Sequence, residues 1–244
     1  MLKIKNLKKA FGSLTVTDDL SLTITAGARH CIIGPNGAGK STLVNLIAGD
    51  LLQDSGDILF NDNSITKFKQ WQRATLGLTR AYQIATGFPS ASLIENLLLA
   101  LNRPKHIRSN MWRDRFSFFE DIQHATDILR RVGFNGDLTV PASSLSYGEM
   151  KQLELAMALS TNPKLLILDE PLAGVSREES SQIVSIIKNI PDDITLVVIE
   201  HDMDAVFQIA DTITVLVEGR ELVTGSPDTI RSSTEVRTAY LGDH

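Results

Sequence analysis

Residues 34–42 read GPNGAGKST. A short apolar run, residues 30–33, precedes them and predicts a buried strand. From Lys40 the pattern turns helical: Leu43, Leu46 and Ile47 share a face, and Gly49 can end the helix. The stretch fits G-x-x-x-x-G-K-[ST] at Gly34, Gly39, Lys40 and Ser41, in the strand–loop–helix setting this pattern requires. Gly34, Pro35, Asn36, Gly37, Ala38 and Gly39 form a loop whose backbone can curl until successive N–H groups face one anion. The N–H groups that open the helix add to that field. Lys40 would reach the β- and γ-phosphates of a nucleotide such as ATP, Ser41 would hold Mg²⁺, and Thr42 would add a phosphate contact. Cys31, inside the preceding strand, is assigned no chemistry.

The rest of the composition is that of an ordinary globular chain. There are 244 residues, enough for one large domain or a domain with a sub-lobe. The charge is −5, from 24 basic and 29 acidic residues, and gives no reason to expect nucleic acid as a partner. A single cysteine excludes an internal disulfide and a multi-cysteine metal site. The longest apolar runs, at 97–101, 165–168 and 196–199, fall far short of the roughly 20 residues of a membrane span. The opening residues carry no stretch resembling a signal peptide.

Along the chain, an α/β pattern is interrupted by a helical lobe. The first sixty residues read mostly as strands; Leu20, Leu22 and Ile24 alternate with Ser21 and Thr23. From about 91 to 160 the signals are helical: Phe118, Ile122, Ala125, Leu129 and Val132 share a face before Gly133, and a second helix is expected over 149–160. Apolar runs then return at 165–168 and 195–199, with a helix at 177–189 between them. Residues 212–217 and 220–223 read as a hairpin around Glu218-Gly219, and 228–241 as a short helix.

Residues 165–170 read LLILDE: a central strand with Asp169 and Glu170 at its carboxyl end, the edge where open α/β sheets bind ligands. Beside a phosphate loop, Asp169 would support the Mg²⁺ shell, directly or through water, and Glu170 is a candidate general base for a water attacking the γ-phosphate. Alone, the pair would be a strand ending in two solvated acids. His201 follows the next strand at the same edge, where an imidazole can hydrogen-bond a γ-phosphate oxygen.

Residues 145–149 read LSYGE, and Ser146 with Glu149 form an S-x-x-E capping box. Read alone, that is only a helix start. Its place 23 residues before Asp169 gives it a second meaning, because LSYGE resembles the LSGGQ signature of ABC ATPases, with Tyr147 and Glu149 as departures. With the phosphate loop, the Asp169-Glu170 pair and His201, the resemblance to the nucleotide-binding subunit of an ABC transporter spans the chain. It implies an α/β fold: a P-loop NTPase (RecA-like) core with an antiparallel β subdomain and an inserted all-helical subdomain. Residues 1–83 and 161–244 would form the nucleotide-binding body and 84–160 the helical subdomain.

The resemblance also implies roles. Phe11 matches the aromatic that stacks on adenine, with a core aromatic as the alternative; Gln83 matches the glutamine that contacts Mg²⁺ or the attacking water. Ser146, Gly148 and Glu149 would close on the nucleotide of a second cassette, identical or paralogous, in a head-to-tail dimer. One departure stands out: the loop PLAGVS ends in Val175 and Ser176 where the family usually carries an Asp, so that residue's contacts cannot be carried over.

The stretch 80–100, RAYQIATGFPSASLIENLLLA, and the tail GSPDTIRSSTEVRTAYLGDH resemble importers of branched-chain amino acids, amides and urea. Cassettes that extract lipopolysaccharide share much of that tail, and a soluble ABC ATPase of iron–sulfur assembly is the reading from another class. The importer reading implies transmembrane permease subunits, an indirect extracytoplasmic solute-binding protein, and a peripheral place on the cytoplasmic face of the inner membrane. The segment from Gln83 to about Asn102, carrying Phe88, Pro89, Leu93 and Leu97, is expected to dock on the permease, with Leu93 and Leu97 equally suited to packing the lobe.

Overall fold

The computed structural model describes residues 1–81, 87–101 and 115–241. Strands β1 (Leu2–Phe11) and β2 (Leu14–Ile24) form an antiparallel hairpin, followed by β3 (Arg29–Ile33) and helix α1 (Lys40–Ala48). Next come β4 (Ser55–Phe60), β5 (Asn63–Ser64), α2 (Gln70–Thr75) and β6 (Leu78–Ala81). The helical stretch holds α3 (Leu93–Leu101), α4 (Arg115–Arg131) and α5 (Tyr147–Ser160). Then follow β7 (Leu165–Asp169), α6 (Arg177–Lys188), β8 (Thr195–Ile199), α7 (Met203–Ile209), β9 (Thr212–Val217), β10 (Arg220–Gly225), α8 (Pro227–Ser232) and α9 (Thr234–Leu241).

The chain divides into two compact units. The first comprises Met1–Arg80, Lys164–Pro171 and Ile190–His244. It holds an antiparallel sheet of order β2-β1-β4-β5 and a second sheet of order β10-β9-β3-β8-β7-β6, in which β9, β3, β8 and β7 run parallel. The central strands β3, β7 and β8 are almost wholly buried, as unbroken apolar runs require. One core joins Leu20, Leu22 and Ile24 of β2 to Leu43, Leu46 and Ile47 of α1 and to Ile32, Ile167 and Val197 of the parallel sheet.

The end of α1 is fastened with unusual care. Gly49 takes the left-handed conformation and donates its N–H to Asn45 O. The side chain of Arg73, fully buried, donates from Nη1 to the last-turn carbonyls of Leu46 (2.6 Å) and Ile47 (2.7 Å). These acceptors have no partner further along the helix, and a cation there also suits the negative helix end. Burial lowers the Arg73 pKa to about 10, so it stays charged at neutral pH.

The second unit comprises Ala81–Pro163 and Leu172–Asn189. Its core includes Leu93, Leu97, Ala125, Leu129 and Val132. The sequence pattern assigns all of 161–244 to the body, whereas Leu172–Asn189 groups with the helices. The reason is chemical: Glu179 and Gln182 of α6 hydrogen-bond Ser146 and Gln152 at the start of α5. Periodicity along one segment cannot report such a pairing. The tail also differs from the single helix expected. Ser233 is extended, and its hydroxyl accepts the N–H of Val236, so α8 stops and α9 starts afresh. Neither α2 nor β6 carries a periodic signal long enough to be read from the sequence. Among the described residues no helix is long and apolar enough to cross a membrane.

Candidate functional site

Because β3, β8 and β7 run parallel and in register, with Ile32 and Asp169 both beside Ile199, their carboxyl ends form one edge. Gly34 follows β3 there, Glu170 follows β7, and Glu200 with His201 follows β8. A cavity of about 240 Å³ opens at this edge, lined by Val16, Asn36, Gly37, Ala38, Gly39, Lys40, Ser41, Thr42 and Glu170. The loop and the candidate base, 128 positions apart, therefore share one space. Val16 was not foreseen; it arrives on β2, which no motif marks.

Helix α1 starts without a side-chain cap or an acid in its first turn. Gly39 occupies the cap position at φ +94°, and a Cβ there would lie 2.5 Å from Val16 O, so both conformation and space demand glycine. The N–H groups of the first turn thus keep their affinity for an external anion. Lys40 folds back over the loop, donating to Gly34 O (2.6 Å) and Pro35 O (3.0 Å). Burial lowers its pKa below the ordinary lysine value, and the Glu170 carboxylate opposes that shift.

Glu170 turns the chain out of β7 at φ +49°, a left-handed conformation costly for a non-glycine residue, while its N–H donates to Ile199 O (3.0 Å). Asp169 points elsewhere. Its Oδ2 accepts from Arg80 Nη2 at 2.7 Å, and Arg80 Nη1 also donates to Asn45 Oδ1 (2.8 Å) and Asp50 Oδ2 (2.9 Å). Arg80 opens the RAYQ stretch already noted, but only its tertiary contacts tie it to Asp169. The oxygen donors that line the cavity, the Ser41 and Thr42 hydroxyls and the Glu170 carboxylate, fit a hard cation that takes its other ligands from phosphates and water; the Asp169 carboxylate does not line it.

His201 is 66% exposed; its N–H donates to the buried carboxylate of Glu200 (3.0 Å), and its Nδ1 lies 3.8 Å from the same oxygen. It does not line the cavity, and neither does Phe11. Phe11 is half exposed, with the Lys9 ammonium 5.6 Å from its ring centre, so the alternative of a core aromatic fails. Gln83 lies outside the described residues.

In the second unit, Ser146 caps α5 by the expected box: its hydroxyl accepts the Glu149 N–H (3.2 Å), and Glu149 Oε2 accepts the Ser146 N–H (2.8 Å). A second carboxylate joins them. Glu179 forms its own box with Ser176, accepting the Ser176 N–H (2.9 Å), and Ser146 Oγ donates to its Oε1 (3.3 Å). A Cβ on Gly148 would collide with that carboxylate. Tyr147, half exposed, covers Gly174, and Lys151 lies 5.7 Å from its ring centre. A third box, Ser92 with Glu95, opens α3. The fully buried Asn96 there accepts the Phe88 N–H (2.7 Å) and donates to Phe88 O (3.1 Å). Leu93 and Leu97 pack the core of this unit, whereas Phe88 is 54% exposed.

A glycine loop between a buried parallel strand and an uncapped helix, with a lysine folded over it and a carboxylate from another strand facing it, defines a P-loop nucleoside triphosphatase. Residues 17–173 match the ABC transporter family, and the chain belongs to it. It is 32% identical over 252 residues, 100% of this chain and 98% of that protein, to the high-affinity branched-chain amino acid transport ATP-binding protein LivG of Escherichia coli (strain K12). It is 30% identical over 243 residues, 99% of this chain and 97% of that protein, to the lipopolysaccharide export system ATP-binding protein LptB of the same strain. Among solved structures it resembles the ADP-bound ATP-binding cassette MJ1267, with a TM-score of 0.84 and 30% identity over 100% of this chain and 99% of that one. The chain is thus the ATP-binding subunit of an ABC transporter and an ATPase.

Proposed function

We propose that this cassette powers import of a small polar solute, of the branched-chain amino acid, amide or urea class, through separate membrane permease subunits. The full-length 32% identity to LivG carries this reading. LptB, at 30%, keeps export of lipopolysaccharide as the second. The cassette works at the cytoplasmic face of the inner membrane, and an extracytoplasmic solute-binding protein delivers the solute.

In this reading, the N–H groups of residues 34–42 and the Lys40 ammonium hold the phosphates, Thr42 adds a contact, and Phe11 stacks on the base. Ser41 and Asp169, with Gln83, hold Mg²⁺, which when bound draws charge from the β- and γ-phosphates. Glu170 orients a water and takes its proton, and His201 hydrogen-bonds a γ-phosphate oxygen. Ser146, Gly148 and Glu149 of a second cassette complete the site from the opposite side. A site with two opposed helix N-termini favours ATP over ADP, so ATP joins the cassettes and hydrolysis parts them.

The test is purification from native membranes with the attached permease, reconstitution, and ATPase measurement with candidate solutes inside and outside. Stimulation by leucine, an amide or urea on the extracytoplasmic side supports import. Stimulation by lipopolysaccharide alone replaces it with the second reading.

A further inference from the structure

We infer that Arg80 is the positioning residue for the magnesium carboxylate: its guanidinium fastens Asp169 to the helix that carries the phosphate loop. The inference rests on the role proposed above for Asp169, and goes beyond it. Arg80 sits on β6 with a side chain 12% exposed, and the Asp169 side chain is 6% exposed. Among the partners of its planar fork are groups on separate segments: Asn45 within α1, Asp50 just after it, and Asp169 at the end of β7. Asn45 is itself fixed, because its backbone carbonyl accepts the N–H groups of Gly49, Asp50 and Leu51 where α1 ends. The carboxylate is therefore tied to the body that positions Lys40 and Ser41.

Charge and stoichiometry favour positioning over competition. The one guanidinium is shared between the Asp50 and Asp169 carboxylates, so Asp169 keeps negative charge to attract a dication. The Arg80 bond engages Oδ2 of Asp169, so Oδ1 would be open to a cation or its water. Lysine could supply the charge but not the fork that spans three partners. Partners that orient a metal-binding carboxylate are worth about 10–100-fold in metal affinity.

The experiment measures Mn²⁺ binding to the full chain with saturating ADP, by electron paramagnetic resonance, beside thermal melting and ADP affinity in EDTA. Arg80→Gln should weaken Mn²⁺ binding at least about tenfold, with metal-free ADP affinity little changed. Arg80→Lys should stay several-fold weak, because the charge returns without the fork. If Arg80→Gln does not fold, Asn45→Ala serves instead, leaving Arg80 and Asp169 paired but removing one of the two ties to α1, with Asp50 the other; a several-fold loss is expected. Wild-type or tighter Mn²⁺ binding in a folded Arg80→Gln or Asn45→Ala protein overturns the inference. Wild-type binding in Asp169→Asn would instead remove the magnesium role of Asp169 itself, a failure visible separately.

Discussion

Two helices of this molecule begin in opposite ways. Helix α1 starts at a left-handed glycine, with no side-chain cap and a cavity before it. Helix α5 starts with a complete capping box, and a carboxylate from α6 lies over it as well. Both present the partial positive charge of a helix N-terminus. The first leaves that charge for a ligand and adds Lys40. The second satisfies it internally, with Glu149 and Glu179. An anion can bind at α1 without displacing a side-chain cap, whereas a phosphate reaching Ser146 must take a hydroxyl proton now given to Glu179. The phosphate loop is ready for nucleotide in one chain; the signature corner is not.

The largest effect expected is on turnover at the open end. Glu170→Gln keeps shape and hydrogen bonding but removes the base, and should lower kcat by about 10²–10⁴-fold while ATP still binds. The ATP-joined state should then accumulate and show as a dimer in gel filtration, where the wild type shifts little. Hydrolysis at the wild-type rate would defeat the base assignment. Next comes Lys40→Ala. It removes the point charge on the phosphates and should reduce ATP binding and turnover together, by about 10²-fold or more in kcat/KM. Unchanged activity would mean that the loop needs no lysine, and the contrast between the helices would lose half its basis.

Smaller effects test the closed end. Glu179→Gln retains a capping partner for Ser176, since glutamine serves in the box as glutamate does. It removes one negative charge from the Ser146 corner. In the Glu170→Gln background it should lower the ATP concentration needed for dimerisation by about two- to fivefold, the scale of one charge at a helix end. Added salt should shrink the difference. An unchanged or higher ATP requirement would show that Glu179 does not oppose closure. The smallest effect is a titration. The backbone N–H and the hydroxyl of Ser176 hold the Glu179 pKa below the ordinary 4.5, with Ser146 and Gly148 adding to them. A depressed carboxylate pKa contributes stability present above 4.5 and lost as pH falls through the folded value. Carbon-detected NMR should place the midpoint below 4.5, and Ser176→Ala should move it up. A midpoint at or above 4.5 in the wild type would break the proposed corner.

Much of this was legible along the chain because the decisive signals are local. GPNGAGKST carries its own turn chemistry, LLILDE its own burial, and the Ser146–Glu149 box reads as a helix start from four residues. Phe11 shows where local reading stops: an aromatic at the end of a strand pattern can face the core or the solvent, and the fold decided on half exposure. Leu93, Leu97 and Phe88 divided in the same way, because Asn96 holds the Phe88 backbone against α3 and turns the ring outward.

The sequence by itself determined the phosphate loop, the carboxylates beyond the apolar strand, the parallel-sheet core and the helical stretch between. Each depends on periodicity or on spacing within about one helix or turn, where side-chain preference and backbone geometry act directly. Only the tertiary structure decided that Val16 and Glu170 share a cavity with the loop, that Arg80 ties Asp169 to α1, and that α6 joins the helical unit with Glu179 over Ser146. These pairings join residues 20 to 134 positions from the groups they serve. No periodicity reports them, because they arise from which strand ends lie together and which charges are left to be neutralised there.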